Sequence, residues 1–448
     1  MKKVYLLCVL FFPFFVFGQE DLQSLIDEAD QEITLKANNV YEVNEPIIMP
    51  SNFKIEGNNS VIRPSANWRK RNPQNSPLII IESCSGLELS NLTIDNMADR
   101  GIVGMPAYSL LILNSSDISI SSVTFQNLGL HKSDKNVGGF PFILMLAQEE
   151  TGDFSYLPEK YKAVKGSVEN VSVRDCKFLN TDYVNSFAIR MLTPWNKGRD
   201  KTSIKYLVKN VLLQGNVFVG EYDWNTVEMA GPGTKDIKIY ANYLKGKSIN
   251  NIDVDKGASD IEIRNNIITD AGLPHRHRNN KNVRVSPIMV HGSTTSYICE
   301  NVSVGGNEIT NVTNPVANNS RYLYSSGIGV AHAKNVTVFG NTVKGLFPGK
   351  NYGAAICLDQ AVELVTINDN IIEDVNWGVI ITPNTSSFRE VEILNNKVRS
   401  RSESLLLLNG SSGKFSGLTL KGNEVRSDKE VRVKMGAKIE KISSDIKY

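Results

Sequence analysis

Five residues near the middle of the chain are of types that could do acid–base or metal chemistry: Glu228, Asp253, Asp255, Lys256 and His291. Paired carboxylates can protonate and attack a glycosidic bond, or together hold a hard cation such as Ca2+. A lysine or histidine beside them can take a proton from a carbon next to a carboxylate. Arg190, Trp195, His332 and Asp359 are of types that bind the charged groups and rings of a substrate. The linear sequence does not bring these residues together, so the chemistry depends on elements that stack distant segments.

A repeat supplies such elements. The pattern apolar, any, apolar, two residues, Asn, any, apolar occurs as VLLQGNVF at Asn216, IKIYANYL at Asn242, IEIRNNII at Asn266 and VSVGGNEI at Asn307. It continues at Asn341, Asn370, Asn396 and Asn423, and weaker copies place Leu92, Val123 and Cys176 at the Asn position. Each copy alternates apolar positions with the two-residue period of a strand that buries one face. The basic spacing of 24 to 29 residues, without a helix-forming stretch, predicts an all-β solenoid, a parallel β-helix of about eleven coils. The Asn column predicts a ladder of turn side chains bonding the backbone of their own or the next coil.

A further strand follows the Asn turn in each coil: AIRML (188–192), TVEMA (226–230), NIDVD (251–255), PIMVH (287–291), GIGVA (327–331) and AICLD (355–359). Pairs such as Ile189/Met191 and Ile252/Val254 are expected to point inward, which sends the alternate residues outward. One outward column then holds Arg190, Glu228, Asp253, Met289, Gly329 and Cys357; the other holds Leu192, Ala230, Asp255, His291, Ala331 and Asp359. Lys256 and His332 follow at equivalent places. Parallel strands lie roughly 4.8 Å apart, so Glu228 and Asp253 become stacked neighbours. Like charges that close need a proton or a cation between them. The expectation is an outward charged face centred on Asp253. On that expectation Asp253→Asn leaves folding nearly intact and lowers turnover by about two orders of magnitude.

Three intervals are longer than the basic spacing: 40 residues from Cys176 to Asn216, 41 from Asn266 to Asn307 and 34 from Asn307 to Asn341. Their surplus, and a further stretch from Gln148 to Gly166, falls beside this strand and predicts the walls of a groove. Aromatic residues such as Tyr161, Trp195 and Tyr206 are of the kind that stacks on sugar rings. The loop AGLPHRHRNNKNVR carries Arg276, Arg278, Lys281 and Arg284 with no acid, which suits a carboxylated or sulfated polymer.

The ends and the composition narrow the class. MKKVYLLCVLFFPFFVFGQE predicts a signal peptide over residues 1–18, hence secretion or a periplasmic location. Without its two lysines the formal charge falls from +2 to 0, which argues against nucleic acid as a partner. No stretch reaches the 18 or so apolar residues of a membrane span. Cys84, Cys176, Cys299 and Cys357 have no metal spacing and are expected to be buried thiols. The domain plan is an N-terminal cap at 19–40 containing the amphipathic helix DLQSLIDEAD, a β-helix at 41–427, and a C-terminal cap or tail at 428–448, in a monomeric protein.

YEVNEPIIMPSNFKIEGNNSVIRP and the coils after it resemble the pectin-lyase-like superfamily of right-handed parallel β-helices, which includes polysaccharide lyases, glycoside hydrolases, epimerases and phage tailspikes. NNIDVDKGASDIEIRNN is similar to the segment of chondroitinase-B and alginate lyases in which acidic calcium ligands precede a catalytic lysine. That resemblance implies Lys256 in the lysine's role, with Val290 at the family's arginine position and Asn251 at one acidic ligand position. SNFKIEGNNSVIRPSANW and FAIRMLTPWN resemble the opening coil and catalytic strand of family 82 iota-carrageenases, whose Glu and Asp positions hold Leu192 and Pro194 here.

Three functions follow as expectations. In the first, a lyase cleaves an acidic, uronate or sulfated polysaccharide by β-elimination. Lys256 or His291 serves as its base, and Ca2+ held by Glu228, Asp253 and Asp255 neutralises the sugar carboxylate. In the second, a glycoside hydrolase uses Glu228, Asp253 and Asp255 as its carboxylates. The third is a polysaccharide-binding β-helix without chemistry.

Overall fold

Runs rich in Val and Ile with alternating polar residues form strands that bury one side. The computed structural model describes residues 21–447 apart from 73–75, 97–105, 129, 132–139, 151–152, 155–156, 186, 196–203, 275–284, 294–295, 314–324, 347–352, 383–386, 401–405, 409–413, 428–433 and 436–441. Within these residues the chain winds as a parallel β-helix around one continuous apolar core.

The face that matters for function is built by β1 (Ile47–Ile48), β2 (Pro77–Glu82), β3 (Tyr108–Leu113), β4 (Pro141–Leu146), β5 (Phe187–Leu192), β6 (Asn225–Ala230), β7 (Asn250–Asp255), β8 (Ile288–His291), β9 (Ser326–Phe339), β10 (Ala354–Asn368), β11 (Trp377–Thr382), β12 (Leu406–Leu408) and β13 (Lys434–Met435). Each pairs in parallel with the next, so the stack outruns the eleven coils expected by a short strand at either end.

The asparagine column is an interior ladder. Asn307 Oδ1 accepts from the backbone N–H and from Nδ2 of Asn266 one coil earlier, at 3.0 and 2.9 Å, while its own Nδ2 donates to Ile263 O at 2.9 Å. The same bonds repeat from Asn216 to Asn423. Just before each ladder position the backbone turns left-handed, which is why Gly215, Gly306, Gly340, Asp369, Asn395 and Gly422 stand there. Two residues beyond the turn, Phe125, Phe178 and Phe218 stack with centroids 4.8 and 4.7 Å apart. The four cysteines are buried free thiols.

Helix α1 (Leu22–Glu28) buries Leu22 and Ile26, and its cap residue Asp21 accepts from Gln23 N. The Gln23 amide both accepts from Ile48 N and donates to Ile48 O, so it satisfies the open edge of β1. Strand Glu32–Thr34 already pairs with Lys54–Pro64, so coiling begins inside the stretch read as a cap. At the other end Ile442–Lys447 pairs with Lys414–Ser427 and continues the stack.

A second, exposed ladder lies on a different turn, where Asn335 Nδ2 donates to Asn301 Oδ1 at 2.7 Å and Asn301 Nδ2 to Asp260 Oδ1 at 2.8 Å. The two ladders separate burial from bonding. Asn307→Ala leaves several buried groups unsatisfied and should cost about 3 kcal/mol, whereas Asn335→Gly, in open solvent, should cost less than about 1 kcal/mol. Denaturant unfolding of both variants checks this; equal losses would mean the interior ladder is incidental to stability.

Candidate functional site

The register aligns Arg190, Glu228, Asp253 and Met289 in one column. It aligns Leu192, Ala230, Asp255, His291, Ala331 and Asp359 in the next. The pairs predicted to point inward, Ile189/Met191 and Ile252/Val254 among them, lie in the core. The outward columns carry the charged residues expected, but these side chains are buried rather than exposed. Glu228, Asp253 and Asp255 are 4, 2 and 4% exposed.

Burial forces each carboxylate to find partners. Arg190 Nε bonds Glu228 Oε2 directly, with its guanidinium 4.3 Å from the Phe187 ring centroid. Asp253 Oδ2 accepts from Asn225 Nδ2 at 2.8 Å, and its Oδ1 from Asn250 Nδ2 at 3.2 Å. His291 Nε2 lies 3.2 Å from the same Oδ1. Asp255 Oδ2 is bonded by Lys256 Nζ, and Asp255 Oδ1 faces His291 Nδ1 at 3.7 Å. Lys256 in turn lies over the Trp195 ring at 4.7 Å, so the indole positions the lysine.

Counting His291 as imidazolium, three carboxylates meet three cations. Burial pushes the Glu228 carboxyl up, against the pull of Arg190 and Lys256. The direct guanidinium contact is the reason to count it as ionised. Burial also works against the Lys256 cation, but Asp255, Glu228 and Asp253 outweigh it and hold the ammonium above its ordinary value.

The cluster is flanked by apolar rungs, although its second column also carries Glu82 at the N-terminal side and Asp359 and Thr382 at the C-terminal side. Toward the N-terminus its columns continue as Ile80, Leu111 and Leu144, and as Leu113, Leu146 and Leu192. Phe154, Leu157 and Tyr161 of the 148–166 stretch pack onto them, so this stretch covers the face and Tyr161 is buried in it. Toward the C-terminus Cys357 and Ile380 pack with Trp377. The charged rungs thus form a polar window.

Asp253, Asp255 and His291 can bring one ligand atom each within 4.8 Å of one another. Calcium takes six to eight oxygens. Here one of the three donors is a nitrogen, Asp255 is held by Lys256, and Glu228 is turned to Arg190. The donor set does not fit Ca2+.

Asp359 is fully buried and accepts from Thr382 Oγ1 at 2.7 Å and from Gln360 N at 2.9 Å. His332 follows Ala331 at the place Lys256 takes after Asp255, both with left-handed backbone. Val290, at the arginine position of the lyase resemblance, is in the core, and Leu192, at the carrageenase Glu position, is in the apolar cluster. Arg276, Arg278, Lys281 and Arg284 lie outside the described residues.

The sequence reading missed Asn225 and Asn250, which hold Asp253. They pair with one another at the starts of β6 and β7, and extending the column alignment to those strand starts would have found them. With these partners, Asp253→Asn sets an amide donor against two others and leaves the cations in excess. The near-intact folding expected for this variant is therefore revised to a loss of about 2–4 kcal/mol, measured by denaturant unfolding. Wild-type stability in this variant would contradict the charge balance.

No family model matches the sequence, and no curated protein matches it. Solved structures do. A double mutant of the periplasmic alginate epimerase AlgG aligns at 14% identity and a TM-score of 0.53, over 96% of this chain and 84% of the epimerase. PfbA, a surface adhesin of Streptococcus pneumoniae, aligns at 15% and 0.52 over 95% and 90%. Tailspike protein 3 of bacteriophage CBA120 aligns at 11% and 0.50 over 96% of this chain, which spans only 60% of the tailspike. At such identities the likeness is one of fold, and it agrees with the strand ladders: the chain folds as a right-handed parallel β-helix.

Proposed function

We propose that this chain is a secreted or periplasmic enzyme that cleaves an acidic, uronate-bearing polysaccharide by β-elimination at the polar window. The observation that carries this reading is the buried cluster in which Glu228, Asp253 and Asp255 meet Arg190, Lys256 and His291 between apolar rungs. Stability does not call for it, since the adjoining rungs fill the same columns with Leu, Ile and Ala.

The geometry favours elimination over hydrolysis. A retaining hydrolase needs a carboxylate free to attack the anomeric carbon. Both oxygens of Asp253 already accept hydrogen bonds, and Glu228 is bonded by Arg190. The groups at the rim are instead His291, with a side chain 30% exposed, and Lys256, at 23%. A lysine held protonated is a poor base but a suitable counter-charge for a uronate carboxylate. Lys256 and His291 stabilise the carboxylate as the proton next to it passes to solvent water. The C5 electrons form the C4=C5 bond, the C4–O4 bond breaks, and the departing oxygen takes up a proton from water.

Product analysis decides the reaction. Incubation with polygalacturonate, alginate, chondroitin sulfate and carrageenan should give, from at least one uronate polymer, oligosaccharides that absorb near 230 nm through a new double bond, as a rough position for such conjugation. Chelator should leave the rate unchanged, because the donors do not fit calcium. A saturated product heavier by one water, or no product from any polymer, would overturn the elimination reading.

A further inference from the structure

We infer that a second groove, on the turn that carries Lys256 and nearer the N-terminus, is a non-catalytic subsite that holds the same acidic polymer through Lys165. This rests on the reading above for the choice of polymer and is independent of how the polymer is cut.

The register places the groove. Ser83 follows Glu82 and Asn114 follows Leu113 as Lys256 follows Asp255, and all three have left-handed backbone, with φ of 55°, 45° and 55°. Glu82, Leu113, Leu146, Leu192, Ala230 and Asp255 are successive partners, so Ser83 lies five coils and Asn114 four coils before Lys256. Lys165 and Tyr206 lead into Val168 and Val208, which pair with one another; Val208 pairs with Thr234, and Lys235 with Ser259 beyond Lys256. Lys165 is therefore three coils away and Tyr206 two. At about 4.8 Å per rung the four residues span roughly 10 to 24 Å from Lys256 along the axis. A rung is close to the length of one sugar residue, so a polymer that follows this turn advances about one residue per coil.

The wall of the groove is fixed. Gln148 is buried, and its amide donates to Tyr161 O and Val164 O, both at 2.9 Å. Gly166 N donates to Gln148 O at 3.1 Å, so the 148–166 stretch returns to its own start. Gly166 has φ of 150°, and a Cβ there would stand 1.8 Å from Asn114 Oδ1. Only glycine lets the returning chain lie against Asn114. The cavity that results has a volume of about 540 Å³, and Ser83, Ser85, Asn114, Ser116, Lys165 and Tyr206 are among the residues that line it.

The lining selects the ligand. Glu169 also lines the cavity, but Lys209 Nζ holds it at 3.3 Å, and Glu149, beside Tyr206, accepts from the N–H groups of Lys205 and Tyr206. Lys165 is exposed and has no carboxylate partner among the described residues. An ammonium beside serine hydroxyls and an asparagine amide can bind a uronate carboxylate and the ring hydroxyls next to it. Tyr206, of a type that stacks on sugar rings, stands at the end nearer the window.

Native electrophoresis through gels containing polygalacturonate, alginate, carrageenan or dextran tests the subsite. At least one uronate polymer should slow the wild type relative to a plain gel, and dextran should not. Lys165→Glu should bind that polymer about tenfold more weakly, and Lys165→Arg should keep most of the binding. Both variants should unfold at the wild-type temperature, since the side chain is exposed. In activity measurements Lys165→Glu should lose about the same factor in kcat/KM on the polymer, through KM. The loss should vanish as the substrate shortens to a trisaccharide, which cannot reach three coils from the cut. Unchanged retardation of Lys165→Glu would overturn the subsite, as would a wild type that no gel slows. Equal slowing by dextran, or slowing by carrageenan alone, would contradict the uronate assignment. An equal loss on the trisaccharide would put Lys165 at the cut instead. A saturated product would overturn the elimination reading and leave the binding result standing.

Discussion

The constraint on which everything else depends is in-register parallel pairing from coil to coil. It places residues separated by a whole coil, such as Glu228 and Asp253, directly against one another, and repeats this along the solenoid. Sequence columns become spatial columns, and whatever one coil carries, the next must accommodate at about 4.8 Å. The interior asparagine ladder maintains the register at the turn, because each side chain bonds both its own kind and the backbone of a neighbouring coil. The phenylalanine stack beside it does the same with dispersion.

The chemistry of the window follows from that constraint. Once Glu228 is stacked on Asp253, with Asp255 along the same strand, burial makes three negative charges untenable alone. Arg190 comes from the coil before, Lys256 from the adjoining turn and His291 from the coil after, so each cation reaches its carboxylate through the register or the chain itself. The same arrangement prepares cationic groups at the rim while keeping the carboxylates engaged. That combination suits an anionic sugar ring better than it suits attack on an anomeric carbon.

Much of this was legible in the sequence. The Asn repeat carries the coil length, and the alternation in NIDVD and PIMVH places Asp253, Asp255 and His291 on one side. What the repeat could not reveal was burial. Whether an outward residue meets water depends on residues such as Phe154, Leu157 and Tyr161, whose clustering with Leu144 and Leu192 has no periodic signature. For the same reason Trp195 read as a sugar platform, while its ring holds Lys256, and Glu228 read as a metal ligand, while Arg190 occupies it. Asn225 and Asn250 escaped notice because asparagine elsewhere in this chain is a turn residue.

The balanced charge count is the centre of the account, and it turns on the protonation of His291, one of five histidines in the chain. Nitrogen-15 NMR of histidine-labelled protein near neutral pH, with His291 assigned by comparison with His291→Asn, reads that state without a substrate. Three carboxylates facing three cations predict that both ring nitrogens of His291 carry protons. A neutral His291 with one bare nitrogen would contradict the account, leaving the buried carboxylates in excess.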